Sequence, residues 1–447
     1  MRPMNKVIHP ARAVALGFLL AIVIGTALLM LPLARAGDAA STAPLMVAFF
    51  TAVSAVCVTG LTVVDTGSYW SGFGQSTIMA LFQLGGLGMM TAATLLGLMV
   101  NRSPKLRTRL MAQTETRSIG MGDIASVGRV VLAVSVLFQL AIAAFLTLRL
   151  EFNYGMGWAE ASWVGLFHAA SAFNNAGFSI HPDSMIRYAG DAGILLPMML
   201  AAIIGGIGFP VLHDLRHRWR DPRHWSLHTK LTLSGTLILL VAGYLVVLLF
   251  EWNNAATLGS FGLLDKLMNG LFISSAARTS GFNTVDVAAL TRETWALHYF
   301  LMFIGGGSAG TAGGVKVGTV AVLVLLVLAE AKGHTDTEAF GRRVGASAQR
   351  QAITVLVLGS VVVAMGTVAL LRISHFPTDQ VIFEVIAAFG SAGLSTGITA
   401  DLPVSGQLVL TLLMFVGRVG TITFATSLVL GERRMPYRYP EEHPIVG

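Results

Sequence analysis

The 447 residues carry 30 Lys and Arg against 23 Asp and Glu, a net charge of +7, yet only 12% are charged and 54% are hydrophobic. Soluble domains hold roughly 25% charged residues. At a mean hydropathy of +0.71 a soluble core is excluded and a polytopic membrane protein is predicted. One cysteine, Cys57, excludes an intrachain disulfide.

The chain begins with an apolar run over residues 13–32, long enough for a bilayer, which takes about 20 residues. Ala34-Arg35-Ala36 resembles a signal cleavage site, but a signal core is usually about 7 to 15 residues, so the run is read as a retained crossing. A stretch over 43–55, too short to span, reads as a re-entrant half-helix; it leads to the loop VCVTG, ending at Gly60, and to a crossing over 76–100. The same order recurs as 127–148, 159–173, FNNAG to Gly177 and 194–212. It recurs again as 231–250, 263–276, ARTSG to Gly281 and 295–328, then as 352–371, 379–389, FGSAG to Gly393 and 407–430. The glycines lie 117, 104 and 112 residues apart. The predicted fold is an all-α membrane protein of four tandem helix–pore-loop–helix repeats, eight transmembrane and four re-entrant helices around one pseudo-fourfold pore. Its units cover residues 11–100, 126–213, 229–331 and 350–432, with a tail over 433–447.

Basic residues set the orientation. The two ends and the connectors between repeats hold 20 of the 30 Lys and Arg and the opposite connectors six, which places both termini in the cytoplasm and the four loops outward. That bias accounts for the net charge without a nucleic-acid partner.

Non-helical backbone at membrane depth is tolerated only where protein or water satisfies it. One such loop can be plugged by its neighbours; four equivalent ones point to a water-lined pathway. Glycine allows positive φ, so successive carbonyls can face one way and replace the hydration shell of an alkali cation. The C-terminal, partly negative end of each half-helix favours a cation further. The candidate ligands are the backbones of Cys57, Val58, Thr59 and Gly60; Asn174, Asn175, Ala176 and Gly177; Arg278, Thr279, Ser280 and Gly281; and Gly390, Ser391, Ala392 and Gly393. Their side chains are expected to brace the filter from behind. The plainer reading makes any one of these glycines a turn.

Arg278 stands out, because a charge at bilayer depth costs about 2.5 to 3.5 kcal/mol on insertion scales. Glu384, in the next half-helix, is its candidate partner. Asp65, Asp183, Asp286 and Asp401 follow the glycines by 5, 6, 5 and 8 residues and either cap turns or gather cations at the outer mouth.

The last crossings carry GGLG at 85–88, GGIG at 205–208 and GRVG at 417–420, suited to close helix packing in lipid. In the third repeat this site expands to Gly305, Gly306, Gly307, Ser308, Ala309, Gly310, Thr311, Ala312, Gly313, Gly314, Val315 and Lys316, too glycine-rich for a helix interior. A break there is either a packing kink or a gate across the ion path. Lys316 and Arg418 either pair with the freed carbonyls or hold the gate shut by repelling cations.

No HExxH or GxxxxGK[ST] pattern is present, and GTAGGVK is only superficially a phosphate loop, so an enzyme is not expected. A proton- or sodium-coupled secondary transporter is the alternative, though it would usually bring mid-span titratable groups and inverted repeats.

The stretches SAVCVTGLTVVDTGSYW, SAFNNAGFS, SSAARTSGFNTVD and FGSAGLSTG resemble the four pore loops of the Ktr/Trk/HKT superfamily of potassium transporters, over nearly the whole chain. The length, the start at the first repeat and the ending near RRMPYRYPEEHP look most like the membrane subunit of bacterial Ktr uptake systems. The resemblance implies potassium as the substrate at the filter, glycine in all four loops going with potassium preference, and sodium as a candidate activator. It implies an intramembrane gating loop at 305–316 with Arg418 close to it. It implies no cofactor on this chain, a homodimer in the lipids of the bacterial plasma (inner) membrane, and a cytosolic RCK/KTN-type ring that binds ATP/ADP or NAD(H). Alanines where hydroxyls are more common in the loop, and Thr421 where proline is often found, depart from the family pattern.

Overall fold

In lipid, backbone hydrogen bonds must close within a segment, so helices dominate. The structure, a computed structural model, describes residues 10–37, 42–100, 124–278 and 280–420. Its helices run α1 (Pro10–Leu29), α2 (Leu45–Val56), α3 (Thr66–Tyr69), α4 (Gly72–Val100), α5 (Ile124–Tyr154), α6 (Trp158–Asn174), α7 (Ala192–Ile207) and α8 (Phe209–Arg218). They continue as α9 (Leu227–Glu251), α10 (Leu263–Ala276), α11 (Arg292–Phe303), α12 (Val317–Ala331), α13 (Ala346–Ile373), α14 (Thr378–Gly390) and α15 (Val404–Phe415), which ends in a π turn over Val416–Gly420. A two-residue hairpin, Glu338–Ala339 with Arg342–Arg343, departs from the expected all-α chain.

Two kinds of helix share the work of burial. The short α2, α6 and α14 bury their C-terminal halves completely, as in Ala387, Ala388 and Phe389 of α14, and α10 does so except at the half-buried Leu271. The long α5, α9 and α13 instead expose Leu137, Leu140, Ile238, Leu249, Met365 and Val368. An apolar surface this extensive has to be covered by something other than water.

Where eight crossings are expected, three helices among the described residues are long and apolar enough to cross a membrane, or four if α7 and α8 count as one broken span. The predicted crossing over 194–212 is bent by 98° at Gly208 between α7 and α8. The crossing predicted over 295–328 has no helix between Phe303 and Val317, as its glycine content requires. The end of the last predicted crossing, the tail and the first basic connector lie outside the described residues.

The glycine pairs do more than bring helices together. A methyl group on Gly85 would run into the carbonyl oxygen of Val56, one on Gly205 into that of Phe173, and one on Gly417 into that of Phe389. Each of these carbonyls lies four residues before a loop glycine, so the long helices are shaved to admit the C-terminal ends of the short ones. Gly88, one turn beyond Gly85, faces open space. Gly85→Ala should therefore destabilise the protein by about 1–3 kcal/mol through overpacking. Gly88→Ala should be neutral or stabilising. Thermal unfolding of the two variants in detergent separates them, and equal midpoints would refute the packing argument.

Candidate functional site

The four loops hang from their helices in one way. The Thr59 N–H donates to the Ser54 carbonyl at 2.8 Å, Ala176 to Ser171 at 2.8 Å, and Ala392 to Ala387 at 2.9 Å. This six-to-one closure ends a helix with one residue in left-handed conformation. Here these are Val58 (φ 55°), Asn175 (56°) and Ser391 (51°). A non-glycine residue pays about 1–2 kcal/mol for that conformation, and for β-branched Val58 it is a true outlier. In the third loop the closure falls one residue later, Gly281 N–H to Ala276 at 3.4 Å, and Thr279 lies outside the described residues.

The chain then turns at glycine: φ is 90° at Gly60, 71° at Gly177, 74° at Gly281 and 76° at Gly393. A methyl group on Gly60 would lie 3.0 Å from Gly177 Cα, one on Gly177 3.1 Å from Gly281 Cα, one on Gly281 3.4 Å from Gly393 Cα, and one on Gly393 3.2 Å from Gly60 Cα. The four glycines thus close a ring in chain order. Among the described residues no backbone N–H donates to the carbonyls of Thr59, Gly60, Ala176, Gly177, Gly281, Ala392 or Gly393. Buried carbonyls without partners are costly, so these need water or a cation.

Polar side chains next to the ring bond backwards into the scaffold. The Asn174 amide donates to Ala170 O at 2.8 Å and to the Gln83 side chain, which in turn pairs with Gln139 at 2.6 Å. Asn175 Nδ2 donates to Ala202 O at 3.0 Å and to Thr311 Oγ1 at 2.8 Å. Gln83 and Gln139 escaped the sequence reading; glutamines in two apolar runs were the available signal.

Where the chain leaves the ring lies a cavity of about 400 Å³, lined by all four glycines together with Asp65, Asp286 and His181. Asp65 also caps α3 through the Ser68 N–H at 2.8 Å, and Asp286 accepts from the Ala288 N–H at 2.9 Å, so at these two positions the carboxylates both cap turns and line the cavity. Asp183 and Asp401 do not line the cavity. Burial alone would raise the Asp183 carboxyl, but Arg187, 2.7 Å away, outweighs it and holds the group below the usual carboxylate range. Burial, then the Arg187 charge, pushes His181 down to about 4, so it is neutral at physiological pH and adds no positive charge to the mouth.

Where the chain enters the ring, residues 304–316 form a non-helical loop that turns at 307–310 and brings Val315 back beside Ile304. Gly305 N–H donates to Val315 O at 2.9 Å, Gly307 N–H to Gly206 O at 2.8 Å and Thr311 N–H to Gly205 O at 3.0 Å. A methyl group on Gly313 would meet the Gly390 carbonyl at 2.6 Å. Arg418 donates to the Thr311 carbonyl and, at 3.4 Å, to Gly85 O, while Lys316 Nζ donates to Ala312 O at 2.5 Å.

The expected pair of Arg278 and Glu384 does not form. Arg278 donates to Thr236 O at 3.2 Å and to Gly305 O at 3.5 Å. Glu384 accepts from Ser395 Oγ at 2.7 Å, Thr396 N at 2.8 Å and Thr399 Oγ1 at 2.6 Å. Backbone and hydroxyl dipoles satisfy each charge separately, so neither needs the other.

Residues 13–433 match the TrkH family, described as cation transport protein. The chain belongs to this family. It is 39% identical to Ktr system potassium uptake protein B of Bacillus subtilis over 98% of this chain and 97% of that one. It is 35% identical to potassium/sodium uptake protein NtpJ of Enterococcus hirae over 99% and 98%. The potassium transporter TrkH from Vibrio parahaemolyticus has the same fold, with a TM-score of 0.72 at 19% identity over 98% of this chain and 87% of that one. The resemblance read from the loops is borne out: the chain is a multi-pass membrane protein of a transport family, and not an enzyme.

Two predictions follow from the charges. Exchanging them, with Arg278→Glu and Glu384→Arg together, should restore no more ion flux than either single change, and recovery would revive the pair. The His181 value of about 4 lies below its ordinary 6.5, so the unfolded chain takes up its proton first. Stability is then full above pH 6.5 and falls as pH drops toward 4. Thermal midpoints across this range should fall less for His181→Gln, and parallel curves would contradict the assignment.

Proposed function

We propose that this chain takes up potassium through a filter of backbone carbonyls formed by the four loops of a pseudo-fourfold, four-repeat pore. The observation that carries this reading is the closed ring of Gly60, Gly177, Gly281 and Gly393, whose carbonyls receive no backbone donor among the described residues and whose helices all end there. Carbonyl oxygens replace hydration water, and helix C-termini add partial negative charge. Two relatives are named as potassium, and potassium/sodium, uptake proteins, which favours potassium as substrate with sodium as a second cation or activator.

The 305–316 segment acts as the gate, with Arg418 and Lys316 as its latches, because their hydrogen bonds end on its carbonyls. Asp65 and Asp286 concentrate cations at the mouth. The loops face outward, both termini are cytoplasmic, and the protein sits in a bacterial inner membrane as a homodimer on a cytosolic nucleotide-binding ring. The basic bias supports the orientation, and the resemblance to Ktr systems supports the ring.

Potassium and sodium flux into vesicles containing the purified protein tests the reading. Wild type should favour potassium. In Gly60→Ser the new Cβ meets the Ala176 carbonyl at 2.5 Å on a backbone of φ 90°, so the potassium-over-sodium ratio should fall by about tenfold or more, equal to ~1.4 kcal/mol of discrimination. An unchanged ratio would falsify the filter. Shortening 306–313, or Arg418→Ala, should raise flux in the absence of any partner; unaltered flux would remove the gate. Uptake that depends on a proton gradient would favour coupled secondary transport instead.

A further inference from the structure

The segment joining α8 to α9 is not an open loop. Trp225 Nε1 donates to Arg218 O at 2.9 Å, the Arg218 guanidinium to His224 O at 2.8 Å, and Lys230 Nζ to Arg223 O at 2.9 Å. Its two acids are consumed internally: Asp214 accepts from Ser226 N at 2.8 Å and Thr229 Oγ1 at 2.7 Å, and Asp221 pairs with His224 at 2.5 Å. Arg216, Arg220 and Arg223 are left exposed, and among the described residues none of them forms an ion pair. The Arg220 guanidinium stacks 4.7 Å above Trp219, whose ring is 65% exposed. A cavity of about 490 Å³ opens between His217, Arg218, Trp219, Arg220, Asp221 and His224, the Asp221 carboxylate being held by His224.

We propose that this turn is a headgroup site for an anionic phospholipid of the cytosolic leaflet. The inference rests on the cytoplasmic orientation proposed above. The 98° bend at Gly208 decides between a membrane and an aqueous partner: with α7 crossing the bilayer, α8 runs along its surface. That puts an exposed tryptophan and unpaired arginines at the depth where aromatic rings and headgroups meet. Arginine forks match phosphate oxygens, and the cytosolic leaflet carries negative charge. The site also reaches the 304–316 segment through its hinge. Phe209 N–H donates to Ala309 O at 3.3 Å, and the acceptors of Gly307 and Thr311 are Gly206 and Gly205, at the end of α7. A headgroup that holds α8 flat therefore holds the anchor of that segment.

The test uses the full chain in vesicles of phosphatidylcholine with increasing mole fractions of either brominated phosphatidylglycerol or brominated phosphatidylcholine. The fluorescence due to Trp219 is the difference between wild type and Trp219→Phe. Brominated phosphatidylglycerol should quench it at a lower mole fraction, by about fivefold per arginine engaged. The preference should vanish in Arg220→Gln/Arg223→Gln and shrink at high salt. Equal quenching by both lipids, or a preference that survives the double variant, overturns the site. Shielding of Trp219 only when a cytosolic protein partner is added would make it a protein dock and overturn it as well. Potassium flux on the same vesicles is read separately, so a protein that binds the lipid without carrying potassium refutes the transport reading and leaves this one standing.

Discussion

Four helix C-termini directed at one point impose the constraint on which the rest depends. Every helix end leaves carbonyls without intrahelical donors and carries a partial negative charge. At α2, α6 and α14 the loop folds back to satisfy one carbonyl from five residues on, and the next carbonyls are passed into the ring. Only glycine fits where the four chains meet, because a Cβ at any ring position enters its neighbour's backbone. The same crowding reaches outward: the carbonyls of Val56, Phe173 and Phe389 lie so close to α4, α7 and the turn after α15 that glycine is required there too.

The buried charges obey this arrangement instead of pairing with one another. Arg278, Lys316 and Arg418 all end on backbone carbonyls, those of Thr236 and Gly305, of Ala312, and of Thr311 and Gly85. The fully buried Glu384 ends on hydroxyls and an N–H, and so does Glu251, held by Thr257 and Thr291. In a fold with so many orphan carbonyls, a cation is neutralised more readily by dipoles than by a distant carboxylate. Cations beside the ring are tolerable on the same ground, since each takes up negative potential that the converging helix ends produce.

This also explains what was legible beforehand. Length and spacing reveal four short helices, because a 12-residue apolar stretch flanked by longer ones has few alternatives. The break after Phe303 is written in six glycines between 305 and 314. The bend at Gly208 is not, since GGIG reads like the unbroken GGLG. What distinguishes them is a neighbour: Phe209 N–H finds Ala309 O, a partner supplied by a different part of the chain. Glutamine bracing through Gln83 and Gln139 was hidden for the same reason, as was the failure of Arg278 to seek Glu384. Local pattern reports which groups are unusual, whereas their partners are fixed by where four separate segments converge.

Departure from fourfold equivalence is concentrated in one place. The third loop shifts its helix closure by a residue and carries the charged side chain that reaches Gly305. The segment beginning at Gly305 then leaves its own unit to lean on the others: on Gly205, Gly206 and Asn175 from the second, on Gly390 and Arg418 from the fourth, and through Arg418 on Gly85 from the first. A stretch with hardly any apolar side chains of its own is buried by close backbone packing and held by hydrogen bonds to three neighbours. Moving it would break those bonds and also its contacts with the ends of α6 and α14, where Thr311 Oγ1 donates to Phe173 O at 3.1 Å and Gly313 lies against Gly390. Ring and segment are therefore adjacent close-packed layers of one chain: the ring glycines jam against each other, and the segment beside it is packed as tightly, a Cβ on Gly305 entering the Gly313 carbonyl and one on Gly310 that of Gly206, so any movement of it has to open these contacts together with its hydrogen bonds.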